Sequence, residues 1–431
     1  MPNIVTVSVS QQVASAPSTL QRTGALISQG ATTLSVDGTQ LLTQASDLAT
    51  IIKTPIAITG LSWSGGTVTV TTASAHTIPA GDTVLGVIAG ASPTNYDGTF
   101  ACTYVSPTSF TYPLASNPGT ETTLGTFELY SVAELQAMVN TFFAQGSSQG
   151  VYVLELGTGT AAQGVTALTS YLTNPTIKFY SYLFPKVWDV ESTAANLVSQ
   201  YDSTTAQTYF FVTTATSTYT SWTNKKSVFA MLQSPSAPST EFSAAAVFNA
   251  TLSYNPSSSN LASPLAFTYL YGVTPYVLSN AVQTTMKTNG VNWVSTGAQG
   301  GINLELVVWG TTMDLNPWNY WYSVDWISIN VALYLSGAVI NGSNNPTNPL
   351  YYNQAGINTL QKVAQATVNN GISFGLILSP ATVNAVPFST YVQQNPSDYS
   401  TGTYNGLSCT FVPLRGFESI TIYLTASNIP T

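Results

Sequence analysis

Few residues in this chain are suited to chemistry, and each candidate can be held against what its reaction needs. Gly157-Thr-Gly159-Thr-Ala-Ala162 fits the relaxed dinucleotide fingerprint G-x-G-x-x-A, whose glycines let backbone approach a pyrophosphate at a helix start. That fingerprint also needs an acid about twenty residues on, and Lys178 and Phe179 occupy the region instead. A strand-to-helix turn that requires glycine is the plainer reading, so no cofactor is expected. The phosphate loop G-x-x-x-x-G-K-S/T does not occur. His76, the single histidine, excludes a His-rich metal site. It could serve only as the base of a Ser-His-Asp site, and no nucleophile elbow accompanies it, so it reads as a surface-turn histidine. Cys102 and Cys409 cannot form a four-Cys zinc site, and spacing alone leaves their pairing open. Glu305, Asp314 and Asp325 form the most enzyme-like group, set among Trp309, Trp318, Tyr320, Trp321, Tyr322 and Trp326. Two carboxylates roughly 5–10 Å apart would suit glycoside hydrolysis, with indoles to stack on sugar. Packed aromatics are the simpler explanation, with Asp325 as an N-cap or first-turn acid of the helix that follows.

Composition narrows the classes further. The chain has 431 residues, of which 6% are charged: 9 Lys and Arg against 17 Asp and Glu, a net charge of -8. Scattered, scarce cations cannot build a phosphate-tracking stripe, so nucleic acid is not an expected partner. The start, Met1-Pro2-Asn3-Ile4-Val5, carries no basic segment or long apolar run, so no signal peptide is read there. No unbroken apolar stretch of about 18 residues points to a membrane. The 44% hydrophobic fraction is ordinary, and the missing charge is replaced by polar uncharged side chains. A surface that meets copies of itself on several sides must be desolvated. Ions make that costly, whereas hydroxyls, amides and tyrosines can pair in either sense. The 24 Tyr, 17 Phe and 8 Trp add side chains favoured at interfaces.

The elements that must position these residues follow from periodicity. Ile4 to Ser10 alternates Val5, Val7 and Val9 with Ile4, Thr6 and Ser8, a strand pattern. Gly24 to Ser28 opens a new apolar segment, and a short helix is expected from Ser46 as N-cap to Lys53, before Pro55. Residues 56–127 then read as strand after short strand: 67–72, 84–88, 99–105 and 109–113, separated by Gly65-Gly66, Pro79-Ala-Gly81 and Asp97-Gly98. Ser131-Val-Ala-Glu134 is a capping-box pattern ahead of the apolar face Val132, Leu135, Met138, Val139, Phe142 and Phe143. Strands and helices alternate from there. Strands are expected at 151–156, 179–184, 209–212, 228–232, 304–309 and 372–378. Helices are expected through Val165 to Leu172, Ala244 to Leu252, Asp325 to Leu335, and Ile357 to Val368, the last closed by Gly371. Residues 419–425 end the chain as another alternating strand, with Ile420, Ile422 and Leu424 on one face. The class is α/β or α+β.

In this order, the pattern resembles contractile-tail sheath proteins of myophages. The matching segments are Tyr130 to Leu156, Phe179-Tyr-Ser-Tyr-Leu-Phe-Pro-Lys-Val-Trp188 and Val324-Asp-Trp-Ile-Ser-Ile-Asn-Val-Ala-Leu333. The run Gly65 to His76, with Pro79-Ala-Gly-Asp82 and Asn95-Tyr-Asp-Gly-Thr-Phe100, is similar to a small β-module of phage tail proteins. The resemblance implies an α/β sheath-like core at 21–55 and 128–415, an inserted all-β outer module at 56–127, and strand arms at 1–20 and 416–431. It implies stacked hexameric rings around a tail tube, joined by strand exchange through Ile4, Val5, Val7, Val9, Ile420, Ile422 and Leu424. Contraction would drive the tube through the host envelope without ATP, in a virion tail assembled in host cytoplasm. Partners would be further copies, the tube protein, and baseplate and tail-terminator proteins, with no nucleic acid, membrane, cofactor or enzymatic activity. The helix bearing Gln361, Lys362, Gln365 and Asn369 would face the tube. A carbohydrate-binding or glycan-hydrolysing tail protein using the Trp309–Trp326 region is the alternative, and a passive shell protein a third.

Overall fold

The computed structural model describes residues 18–297, 304–418 and 422–423. Helices and sheets are mixed, and the chain divides into two compact units, 20–254 with 265–317, and 1–19 with 255–264 and 318–431.

The larger unit is built on a six-stranded sheet. Its first strands are β1 (Gly24–Ser28) and β2 (Thr39–Leu42). A short 3-10 helix follows at Ala45–Thr50; its N-cap is Gln44 rather than Ser46, because Asp47 turns back onto the Gln44 amide. Next come β3 (Ile56–Ser64), β4 (Thr67–Thr72), β5 (Thr83–Ser92), β6 (Gly98–Ser106), β7 (Ser109–Pro113) and β8 (Thr123–Leu129), which close into an antiparallel barrel in the order β3-β4-β7-β6-β5-β8. Alternation explains the closure. Along β4, Val68, Val70 and Thr72 point inward while Thr67, Thr69 and Thr71 face out. Val68, Val70, Cys102, Phe110, Tyr112, Ile88 and Phe127 fill the barrel. Where β8 bends across β5, Gly90 and Gly125 both take positive φ, 77° and 74°. A side chain at Gly125 would lie 2.4 Å from the carbonyl oxygen of Ala89.

The chain then re-enters the sheet layer through α1 (Tyr130–Phe143), β9 (Val151–Glu155), α2 (Ala161–Thr173), β10 (Ser181–Leu183), α3 (Ser192–Ser199), β11 (Tyr209–Thr214), β12 (Val228–Leu232) and α4 (Ser243–Leu252). The sheet order is β12-β11-β10-β1-β9-β2, with β2 antiparallel to β9 and the other pairs parallel. From β1 the chain steps outward to β9, then returns to β10 on the other side of β1, so the winding reverses beside β1. Parallel strands are covered on both faces and read as unbroken apolar runs; every residue of β1, β11 and β12 is buried. Trp188 and Trp222 are fully buried in this core, and the Trp222 indole donates to Asp189 at 2.7 Å. α5 (Asn280–Thr288) and the antiparallel pair β13 (Trp293–Thr296) and β14 (Glu305–Val308) complete the unit.

The smaller unit contains α6 (Trp318–Ser343), α7 (Gln354–Ser373), β15 (Thr382–Ala385), α8 (Phe388–Gln394), α9 (Pro396–Thr401) and β16 (Leu407–Thr410). α6 packs against α7, and β15 pairs antiparallel with β16. By length and mean hydropathy α6 could cross a membrane, although, as the sequence indicates, it is not an unbroken apolar run. Its buried residues are confined to 318–330, and 28% of its most apolar stretch is buried.

Several local expectations are corrected. β8 runs directly into α1, so Leu129 is the N-cap; Ser131 already lies in the first turn, and no side-chain cap forms. α6 starts at Trp318, so Asp325 is a buried mid-helix residue rather than a cap. Gly371, Ile372 and Ser373 continue α7, and Gly375 at φ 71° ends the run expected as a strand at 372–378. Short apolar runs do not separate a helix end from a strand.

Candidate functional site

The fingerprint loop lies where the sequence puts it, between β9 and α2, but its cradle is filled by the protein itself. Gly157 takes φ 82°. Thr160 and Gln163 form a capping box, with the Thr160 amide donating to Gln163 Oε1 at 2.9 Å. Gln29 Nε2 donates to the carbonyls of Gly159 and Thr160, and the Trp188 indole holds Gln29 Oε1 at 3.1 Å. Beneath the loop is Glu155, which is 2% exposed. Its carboxylate accepts from the amides of Gly30, Thr32 and Gly157 at 2.6, 3.0 and 2.8 Å, and from the hydroxyls of Ser28 and Thr32. Lys53 Nζ donates to the Gly30 carbonyl at 2.8 Å; burial pushes its pKa down, while Glu155 pulls it up. This arrangement clamps the ends of β1 and β9 and leaves the helix start self-capped. Glu155 had one signal in the sequence, an acid inside the apolar run Val151-Tyr-Val-Leu-Glu-Leu156.

The residues of the carboxylate–tryptophan group are divided between the two units. Glu305, Trp309 and Asp314 belong to the larger unit, and Trp318 to Trp326 to the smaller. Asp314 is engaged by Thr312 Oγ1 at 2.6 Å and by Asn316 Nδ2 at 2.9 Å. Trp318, Trp321, Tyr322 and Trp326 are buried, so they offer no open stacking platform. Tyr320 packs edge-on to Trp321, with the Arg415 guanidinium 5.3 Å from its ring. Trp309 lies beneath the Lys287 ammonium at 3.6 Å.

His76 is another correction: it is 1% exposed, not a surface-turn residue. Its Nδ1 accepts from the Ile78 amide, and Nε2 faces the carbonyls of Ser106 and Ser109 at 2.7 and 3.1 Å. The ring fits as the neutral Nε2–H tautomer closing one end of the barrel, packed edge-on to Phe110 and Tyr104. Cys102 is buried and its thiol is pushed up to about 12 by desolvation; Cys102 and Cys409 are both free.

The remaining sites are surfaces. On α7, Lys362 and Asn369 are exposed, but Gln361 and Gln365 are half-buried. Gln361 donates to the Val383 carbonyl at 2.8 Å, and Gln365 donates to the Ala381 carbonyl and accepts from the Val383 amide. Those two amides therefore tie α7 to β15. At the chain's end, the Leu414 amide donates to the Leu376 carbonyl and Asn319 Nδ2 donates to the Leu414 carbonyl. Beyond that tether Phe417, Ile422 and Tyr423 are exposed by 81%, 74% and 90%. Ile422 is not in a strand. Ile4, Val5, Val7, Val9, Ile420 and Leu424 lie outside the described residues.

No protein-family model and no curated protein matches this sequence. Solved structures do. A chain of the anti-feeding prophage baseplate, six-fold symmetrised, matches at a TM-score of 0.56 and 11% identity, covering 99% of this chain and 100% of that one. A chain of the same particle's helical sheath in its contracted state matches at a TM-score of 0.55 and 10% identity, over 99% of both. The contracted baseplate gives a TM-score of 0.55 at 13% identity, over 99% of this chain and 98% of that one.

The fold is sheath-like. At these identities the shared property is backbone architecture, and it extends over nearly the whole chain. Few side chains are shared at 10–13% identity.

Proposed function

We propose that this chain is the structural sheath subunit of a contractile phage tail, a component of the virion. Subunits stack as hexameric rings around the tail tube, linked by terminal strands that pair with neighbouring copies, and contraction drives the tube through the host envelope. The core at 21–55 and 128–415 carries the barrel as an outer module, and residues 1–20 and 416–431 act as arms. Lys362 and Asn369 on α7 face the tube. Baseplate and tail-terminator proteins meet the ends of the polymer, which assembles in host cytoplasm and catalyses no reaction.

The observation that carries this reading is end-to-end overlap with a sheath chain and baseplate chains of one contractile particle. The overlap with the sheath chain spans 99% of both chains. Two further observations support it. Charged residues make up 6% of the chain, which lowers the desolvation cost of burying its surface against copies. Phe417, Ile422 and Tyr423 are exposed after Leu414, which suits a segment that pairs with a neighbouring copy. Pairing through main-chain bonds gives strength, while alternating side chains set the register.

Negative-stain microscopy of the purified full chain tests the reading. Helical tubes with six-fold rings are expected at high protein concentration. A population that stays as dispersed single particles, alone and with added tube protein, would overturn it.

A further inference from the structure

The larger unit contains a cavity of about 170 Å³ at the point where the sheet winding reverses. Ligands of open α/β sheets characteristically occupy this position, outside the carboxyl ends of the strands. Gln29 follows β1, Pro185 and Val187 follow β10, and Val84 and Leu129 close the cavity from the barrel. An engineered cavity of about 150 Å³ admits benzene, so there is room for about six heavy atoms.

Among the described residues lining the cavity, Glu134 of α1 is the one that carries charge, and it is 5% exposed. Its Oε1 accepts the Lys186 amide at 3.0 Å; its second oxygen takes no hydrogen bond from the described residues. The surrounding charges do not neutralise it. The Lys186 ammonium lies over the Phe242 ring at 4.9 Å, and its field is shared by Glu134 and Glu241. Two acids and one base leave a negative charge over. Glu241 is met by the Thr274 amide and hydroxyl and by Ser243 Oγ, so the unmet oxygen belongs to Glu134. The positive end of α2 is already taken up by Thr160 and Gln163, and the uncapped start of α1 at Tyr130 and Ser131 is opposed by Glu134 of the same helix, the one full charge on the lining.

We infer that this cavity binds a primary alkylammonium group, its nitrogen on the free oxygen of Glu134 and its carbon chain against Val84, Leu129, Pro185 and Val187. A buried carboxylate needs a counter-charge and donors. Without a bound cation a proton meets part of that need, since burial pushes the carboxyl up to about 7 against the opposing pull of the Lys186 amide and charge. An ammonium supplies both charge and donors, and the apolar walls reward a short alkyl chain over a bare ion. The group can come from a free aliphatic amine or from the lysine side chain of another protein.

Calorimetric titration of the full chain with n-butylammonium chloride at pH 8 and constant ionic strength tests this. Saturable binding at one site is expected, with n-butanol at least about tenfold weaker because it lacks the charge. Glu134→Gln keeps an oxygen for the Lys186 amide and is expected to bind butylammonium at least about tenfold more weakly. Val84→Trp fills the cavity from the barrel side and is expected to abolish binding with the carboxylate intact, which serves if the first variant does not fold. N-acetyl-lysine amide binding as well as butylammonium would make a partner's lysine the source, and butylammonium alone a free amine. Absence of saturable binding to the unmodified chain, or unchanged affinity in either folded variant, overturns the inference.

Discussion

Two buried glutamates show how environment sets the role of a side chain. Glu155 is surrounded by donors and works as a clamp, so its loss strands three backbone amides in a dry site. Glu155→Ala is expected to lower the unfolding free energy by about 3 kcal/mol or more, measured by urea denaturation. Glu134 receives one amide hydrogen bond, and its carboxyl is raised from 4.5 to about 7, chiefly by desolvation. A raised folded pKa in an acid means that the folded state holds its proton more tightly than the unfolded one. The associated stability is therefore complete below the unfolded value and is lost as pH rises through the window from 4.5 to about 7, staying flat above. The change is on the order of 3 kcal/mol. Glu134→Gln, which cannot titrate, is expected to flatten that window and to unfold at a higher temperature than the unmodified chain at pH 8. An unchanged pH profile of thermal unfolding would refute the assignment. Neither role could be read from residue type: Ser131 and Glu134 spell a capping box, and only the straight run of β8 into α1 turns Glu134 inward.

At the scale of elements, alternation was a dependable guide and short apolar runs were not. β4 and β7 follow directly from Thr67-Val-Thr-Val-Thr-Thr72 and Ser109-Phe-Thr-Tyr-Pro113, because each side chain's face is fixed by the two-residue repeat. β3 and β8, which seal the barrel to the rest of the unit, lack so clean a repeat and depend on partners distant in sequence. Closure also relies on Gly125, whose positive φ and contact with the Ala89 carbonyl leave no space for a side chain. Gly125→Ala is expected to destabilise the barrel by about 2 kcal/mol or more. Gly65→Ala, in an open turn with nothing within 4 Å, should cost only about 1 kcal/mol. Thermal unfolding of the two variants, with limited proteolysis across residues 56–129, checks the difference; equal destabilisation would remove the role given to Gly125.

At the scale of the whole molecule, the proposed polymer depends on terminal strands that leave their own subunit. Removing residues 1–10 is expected to yield a folded, soluble monomer in sedimentation velocity, with the thermal unfolding of the body nearly unchanged. Normal tubes assembled from that truncated chain would exclude strand exchange through the N-terminal arm.

Composition, alternation and helical periodicity by themselves determined a mixed α/β chain of very low charge, with short strands in 56–127 and too few histidines, cysteines and cations for a His-rich site, a four-Cys site or a basic face. These are local properties, or sums over the chain, and need no knowledge of which distant segments meet. Tertiary structure alone decided that the fingerprint loop is closed by Gln29 and Gln163, that His76 is a buried plug, and that tryptophans close in sequence fall into separate units. It also decided which of two acids would be left with an unmet oxygen. Such outcomes depend on desolvation and on donors supplied from a hundred or so residues away, and periodicity carries no information about either.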